Sequence, residues 1–105
     1  MVKIKLISTG NCLFVQAEGH ALFNKKGRDI VCASVSVLLE SWFISEKELC
    51  HANIDLKREK GFFSGKIADY GEKEKWFYDS LSLNLLILEK QYADYIKVIM
   101  EAPDG

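Results

Sequence analysis

Within 105 residues the spacing of apolar side chains switches between period two and helical period, and this switching restricts the fold more than any single residue does. Val2, Ile4 and Leu6 alternate with Lys3 and Lys5, which is the pattern of a half-buried strand with its lysines outward. Ser8-Thr9-Gly10-Asn11 reads as a turn. A second strand follows from about Cys12 to Glu18, with Leu13, Val15 and Ala17 on one face, so the pair predicts a hairpin.

From Ile30 the period becomes helical. Val31, Val35, Leu38, Trp42 and Leu49 recur along one face, predicting a helix from about Ile30 to Cys50. Asp29 is suited to cap its start, because the carboxylate can accept from backbone N–H groups in the first turn. Ala52, Ile54 and Leu56 then alternate with Asn53, Asp55 and Lys57 as a third strand. Glu59-Lys60-Gly61 makes a turn, and Phe63, Gly65 and Ile67 belong to a fourth strand. A second helix is expected over Glu72 to Gln91, with Phe77, Leu81, Leu85, Leu88 and Tyr92 on one face and Leu83, Leu86 and Ile87 widening it. Tyr95 to Met100 reads as the last strand. The order β-β-α-β-β-α-β predicts an α+β layered domain, a mixed sheet packed by two main helices, with residues 1–105 as a single domain.

Composition removes several function classes. Hydrophobic residues make up 49% and charged residues 28%, so disorder is not expected. The 14 basic and 15 acidic side chains leave a net charge of −1, which argues against direct DNA binding driven by phosphate neutralisation. No apolar run reaches the length of a membrane helix, and MVKIKLISTG alternates instead of forming a leader peptide. The expectation is a cytoplasmic domain without a membrane partner.

Cys12, Cys32 and Cys50 are odd in number and form no C-x-x-C, so neither a disulfide framework nor a zinc ribbon is expected. Attention falls on Gly19-His20-Ala21 and, after a short loop, Asp29-Ile30-Val31-Cys32-Ala33-Ser34-Val35-Ser36. With Asp29 as cap, Cys32 lies in the first turn of the helix, where unpaired N–H groups and the helix dipole favour a thiolate. The same N–H groups can receive an oxyanion. His20 ends a strand one loop away, and a histidine within reach of a thiol is the minimum for nucleophilic catalysis by cysteine. Gly19 lets the backbone bend there. Cys32 is one residue off the Val31/Val35/Leu38 stripe and so need not point into the core. Spacing alone leaves a second reading open, in which Cys32 is a small buried hydrophobe and His20 a surface residue.

The stretch G-H-A, followed by a loop ending in G-x-D-I-V-C-A-x-V-S, resembles the bacterial ribosomal-processing cysteine protease family, Prp. Tyr92-Ala93-Asp94-Tyr95-Ile96-Lys97-Val98 is similar to the family's closing phrase, and the resemblance covers nearly the whole chain. It implies a cysteine endopeptidase with Cys32 as nucleophile and His20 as general base and acid. Gly19, Asp29 and Ser36 match supporting positions: Asp29 for capping and orientation, Ser36 for keeping the helix face beside the thiol small. The implied substrate is a precursor of the large-subunit ribosomal protein L twenty-seven, from which the family removes an N-terminal extension. The implied assembly is a homodimer, which the apolar second helix suits. No cofactor or metal is implied. Ser34 departs from the alanine common in the family.

The loop Ala21–Arg28 carries Lys25, Lys26 and Arg28 and is expected to fold over bound peptide. Cys50-His51 is an adjacent pair whose side chains should diverge, so catalysis is not expected there. Trp42 and Trp76 read as core or interface. Phe62-Phe63 beside Lys57-Arg58 suggests one core and one exposed phenylalanine, although an aromatic and basic RNA platform has the same ingredients. A non-enzymatic ribosome- or RNA-associated binding domain is therefore the alternative function.

Overall fold

A computed structural model describes residues 1–19 and 30–101. Strands β1 (Val2–Ser8) and β2 (Cys12–Glu18) precede helix α1 (Ile30–Leu49). Strands β3 (Ile54–Glu59) and β4 (Phe62–Ala68) precede helix α2 (Glu72–Gln91), and β5 (Ile96–Glu101) is the last element. The five strands form one mixed sheet in the order β3-β4-β2-β1-β5. The β1–β2, β2–β4 and β3–β4 pairs are antiparallel, and β1–β5 is parallel. The element order and the mixed sheet are those expected from the periodicity.

The register explains the alternation. Ile4 lies opposite Ala17 and Leu6 opposite Val15, and Leu13 opposite Ile67. Cross-strand partners share a face of the sheet. These side chains, with Val2, Phe63 and Ile96, are buried under the two helices. The other face carries Lys3 beside Glu18, Phe14 beside Lys66, and Lys66 beside Asp55. It is the water-facing side, as antiparallel sheets permit.

Strand directions make the helices antiparallel: α1 returns from β2 to β3, and α2 returns from β4 to β5. The C-terminal end of α1 therefore lies toward the N-terminal end of α2. The two helices share the core with the sheet's inner face.

Three expectations need correction. The third strand starts at Ile54 instead of Ala52, because the Ala52 N–H donates to Glu46 O (3.0 Å) and belongs to the end of α1. The fifth starts at Ile96, because the Tyr95 N–H donates to Tyr92 O (2.9 Å) in the turn leaving α2. The buried helical stripes are also rotated. On α1 they run Val31, Cys32, Val35, Leu39, Trp42 and Glu46, while Leu38 is half-buried and Leu49, at the helix end, is exposed. On α2, Tyr78 and Ser82 join Leu81, Leu85 and Leu88, whereas Leu83 and Ile87 face water.

Tyr78 explains the second rotation. Its hydroxyl donates to Phe14 O (2.7 Å), with Ile7 O at 3.2 Å, so the ring can be buried without an unsatisfied O–H. Ser82 satisfies its hydroxyl on Tyr78 O one turn earlier (3.0 Å).

Candidate active site

The strand–loop–helix unit predicted to carry the chemistry is present at both of its ends. β2 stops at Glu18, and Gly19 follows with φ +149°, a conformation that side chains rarely adopt. Its N–H donates to Gly61 O (3.1 Å) in the β3–β4 turn. A Cβ on Gly19 would lie 2.6 Å from Met1 O. Gly19 is thus required by both conformation and space, and it anchors the exit of β2 against the N-terminus. His20 and Asp29, and the loop between them, lie outside the described residues.

At the other end, Cys32 is the third residue of α1. Its thiol belongs to a turn whose N–H groups have no carbonyl earlier in the helix to bond. The side chain is 5% exposed and packs in the core cluster with Val31 and Val35. Being off the Val31/Val35 stripe did not keep Cys32 from the interior, because the buried arc of α1 is wide enough to include it. Ser36 is half-buried one turn further on, where residues four apart share a face. Val31, Cys32 and Val35 are therefore held by packing, which fixes the direction of the thiol.

The remaining conspicuous residues separate cleanly. Cys50 follows the last residue of α1, and His51, with φ 53°, turns the chain away toward β3. Cys12 is half-buried in β2. Among the described residues, no group of three or more His, Cys, Asp or Glu side chains converges as a metal site. Trp42 is buried and Trp76 exposed. Phe63 is buried and Phe62 half-buried.

One buried charged residue escaped the sequence reading. Glu46 is 0% exposed, and its Oε2 accepts from Trp42 Nε1 (2.8 Å). Burial pushes its carboxyl up to about 7. The signal was positional: Glu46 stands four residues after Trp42 on the stripe that the periodicity marks as inward.

Comparison with known proteins agrees with this architecture. The chain superimposes on the essential ribosomal processing protease Prp of Staphylococcus aureus, in complex with a covalently linked product peptide, with a TM-score of 0.86. That match is 21% identical and covers 96% of this chain and all of the other. A second solved protein, SMU.848 from Streptococcus mutans, gives a TM-score of 0.82 at 23% identity, over 97% of this chain and 95% of its own. The ribosomal processing cysteine protease Prp of Mycoplasma genitalium is 42% identical over 50 residues. That stretch is 45% of this chain and 46% of the relative, so the alignment spans about half of each. No helix among the described residues is long and apolar enough to cross a membrane. The model of the family described as cysteine protease Prp matches residues 1–97, and the chain belongs to that family.

Proposed function

We propose that this protein is an endopeptidase that removes the N-terminal extension of a precursor of ribosomal protein L twenty-seven, with Cys32 and His20 as its catalytic pair. The observation that carries this reading is the family match across residues 1–97, which includes a thiol in the first turn of α1. Support for the substrate class comes from the processing proteases named among its relatives.

The chemistry follows from the positions. His20 accepts the Cys32 proton, and Sγ attacks the scissile carbonyl. Negative charge moves to the carbonyl oxygen, where N–H groups of the first turn of α1 can receive it. The tetrahedral species collapses by breaking the C–N bond, and His20 gives its proton to the departing amine. Water, losing a proton to His20, then cleaves the thioester and restores the thiol. Asp29 caps the helix, Ser36 keeps the face beside the thiol small, and Gly19 aims the chain toward His20. Neither a metal nor a cofactor enters this scheme.

The same reading makes the protein a cytoplasmic homodimer. Trp76, Leu83 and Ile87 are exposed along the outer side of α2, and Ile30, Val37 and Ile44 along α1. A second copy would cover these apolar stripes. Leu83→Glu should shift the sedimentation coefficient to that of a monomer, and an unshifted dimer would exclude this face.

The decisive assay is cleavage of the extended precursor. Cys32→Ala and His20→Ala should each abolish it while leaving the circular dichroism spectrum unchanged. Cleavage retained by either folded variant would refute the pair. One observation favours the alternative of a non-enzymatic ribosome- or RNA-associated domain: the low exposure of Cys32. In that case, neither substitution would alter binding to ribosomal particles, and no precursor would be cut by the wild type.

A further inference from the structure

Glu46 lies outside the site just described, toward the other end of α1. It is the one fully buried charged side chain among the described residues. Oε2 is held by the Trp42 indole, while Oε1 has no hydrogen-bond partner. Neither described ion pair, Arg58–Glu40 or Lys75–Asp79, includes it. A carboxylate so placed would be a buried anion with no ion-pair partner among the described residues, which is costly in a packed interior.

The surroundings add to that cost. Glu74, in the first turn of α2, contributes a like charge. Lys73 of the same turn acts on the neighbouring Cys50 thiol, which itself interacts with the Glu46 carboxyl. Tyr78 of α2 meets the Trp42 ring edge-on, with centroids 6.3 Å apart. On the sheet side, Gly65 leaves room for that ring, since a Cβ there would lie 2.8 Å from Trp42 Cζ3. Glu46, Trp42 and Tyr78 thus form one contact between α1, α2 and the sheet.

We propose that Glu46 is a proton-operated latch at the junction of the C-terminal end of α1 with the N-terminal end of α2. As a carboxylic acid it sits in the closed packing; on losing its proton it loosens the Trp42–Tyr78 contact and admits water. Burial is the main influence holding the acid form, raising the carboxyl to about 7 even though the Trp42 hydrogen bond and the neighbouring Cys50 thiol act against it. Ionisation near neutral pH therefore places a charge in the packed junction on a carboxyl that has no ion-pair partner among the described residues. The inference rests on the fold alone and stands or falls separately from the protease reading.

The test uses the full chain with Trp76→Phe, so that Trp42 is the only tryptophan. Two readings are taken from pH 5 to 9: the side-chain carboxyl carbon shift of Glu46 by NMR, and acrylamide quenching of Trp42. The carboxyl should titrate near 7, and quenching should rise several-fold with the same midpoint. Glu46→Gln should hold quenching at its low-pH value throughout. His51→Asn, which preserves a residue tolerant of positive φ, should leave the step in place. Titration of Glu46 in the ordinary carboxylate range would overturn the proposal. So would quenching that stays flat as Glu46 titrates, or a step lost in His51→Asn. Should Glu46→Gln fail to fold, the NMR and quenching midpoints of the parent chain still decide.

Discussion

Cys32 and Cys50 stand at opposite ends of the same helix, and their surroundings differ in sign. Cys32 is in the first turn of α1, among small and β-branched neighbours, where the N–H groups have no carbonyl earlier in the helix to bond and the positive end of the helix dipole lies. Cys50 follows the last turn, where its N–H donates to Glu46 O (3.2 Å) and the Glu46 carboxyl sits beside its thiol. Burial first, and then the charge of Glu46, push the Cys50 thiol up, away from the reactive thiolate form. The same side chain thus meets a helix N-terminus at one end of α1 and a buried carboxyl at the other. One end of α1 is arranged around a prospective nucleophile; the other is arranged around an acid that holds the helices together.

The largest expected effect separates the two thiols outright. Cys32→Ala should remove precursor cleavage, whereas Cys50→Ala should leave its rate within about two-fold of wild type; activity lost in both variants would erase the contrast. Next in size is Trp42→Ala, which empties the C-terminal end of the core. It should cost about 3–5 kcal/mol in urea unfolding, as other large-to-small aromatic changes do. A loss below about 1 kcal/mol would show that the Trp42–Glu46–Tyr78 contact is not what joins the helices.

The pH dependence is smaller, and its sign is fixed. The Glu46 carboxyl is raised from 4.5 to about 7 in the folded state. Its contribution is therefore fully present below about 4.5, declines as pH rises through about 7, and is level above that. The decline should be on the order of 2–3 kcal/mol between pH 4.5 and 8, and Glu46→Gln should abolish it. Equal slopes for the two proteins would contradict the assignment. Smallest is Tyr78→Phe, which removes the hydroxyl that donates to Phe14 O. It should cost about 1–2 kcal/mol, since a buried carbonyl loses its partner.

The same contrast explains what could be read from sequence. Both hairpins were legible because a slip of one residue would turn Leu13, Val15 and Ala17 to water. Helix α2 was legible to its ends, Glu72 and Gln91, because glycine precedes it and the apolar spacing runs its length. Its phase was not. Tyr78 counts as polar until the backbone carbonyls that accept its hydroxyl are known, and those come from β1 and β2, far away in sequence. Glu46 was missed for a similar reason: a glutamate on an inward stripe contradicts its residue type, and only the Trp42 indole makes its burial tolerable. Ala52 was drawn into the third strand because alternation cannot reveal that its N–H is committed to Glu46 O. In the candidate site, Gly19 was legible as a backbone requirement and Cys32 as a first-turn residue. The depth of Cys32 was not, because it depends on how α1 is rotated against the sheet. His20, Asp29 and the loop Ala21–Arg28 fall outside the described residues; of the candidate site residues, Gly19, Cys32 and Ser36 lie within them.

The central claim, that the thiol at the start of α1 is the nucleophile, is tested most directly by alkylation of the native protein. Iodoacetamide would be applied from pH 5 to 9, and the labelled cysteines followed by peptide mass spectrometry. Cys32 should react first at every pH, and its advantage over Cys50 should be greatest at the acidic end. Labelling of Cys12 or Cys50 while Cys32 remains unmodified would contradict the account.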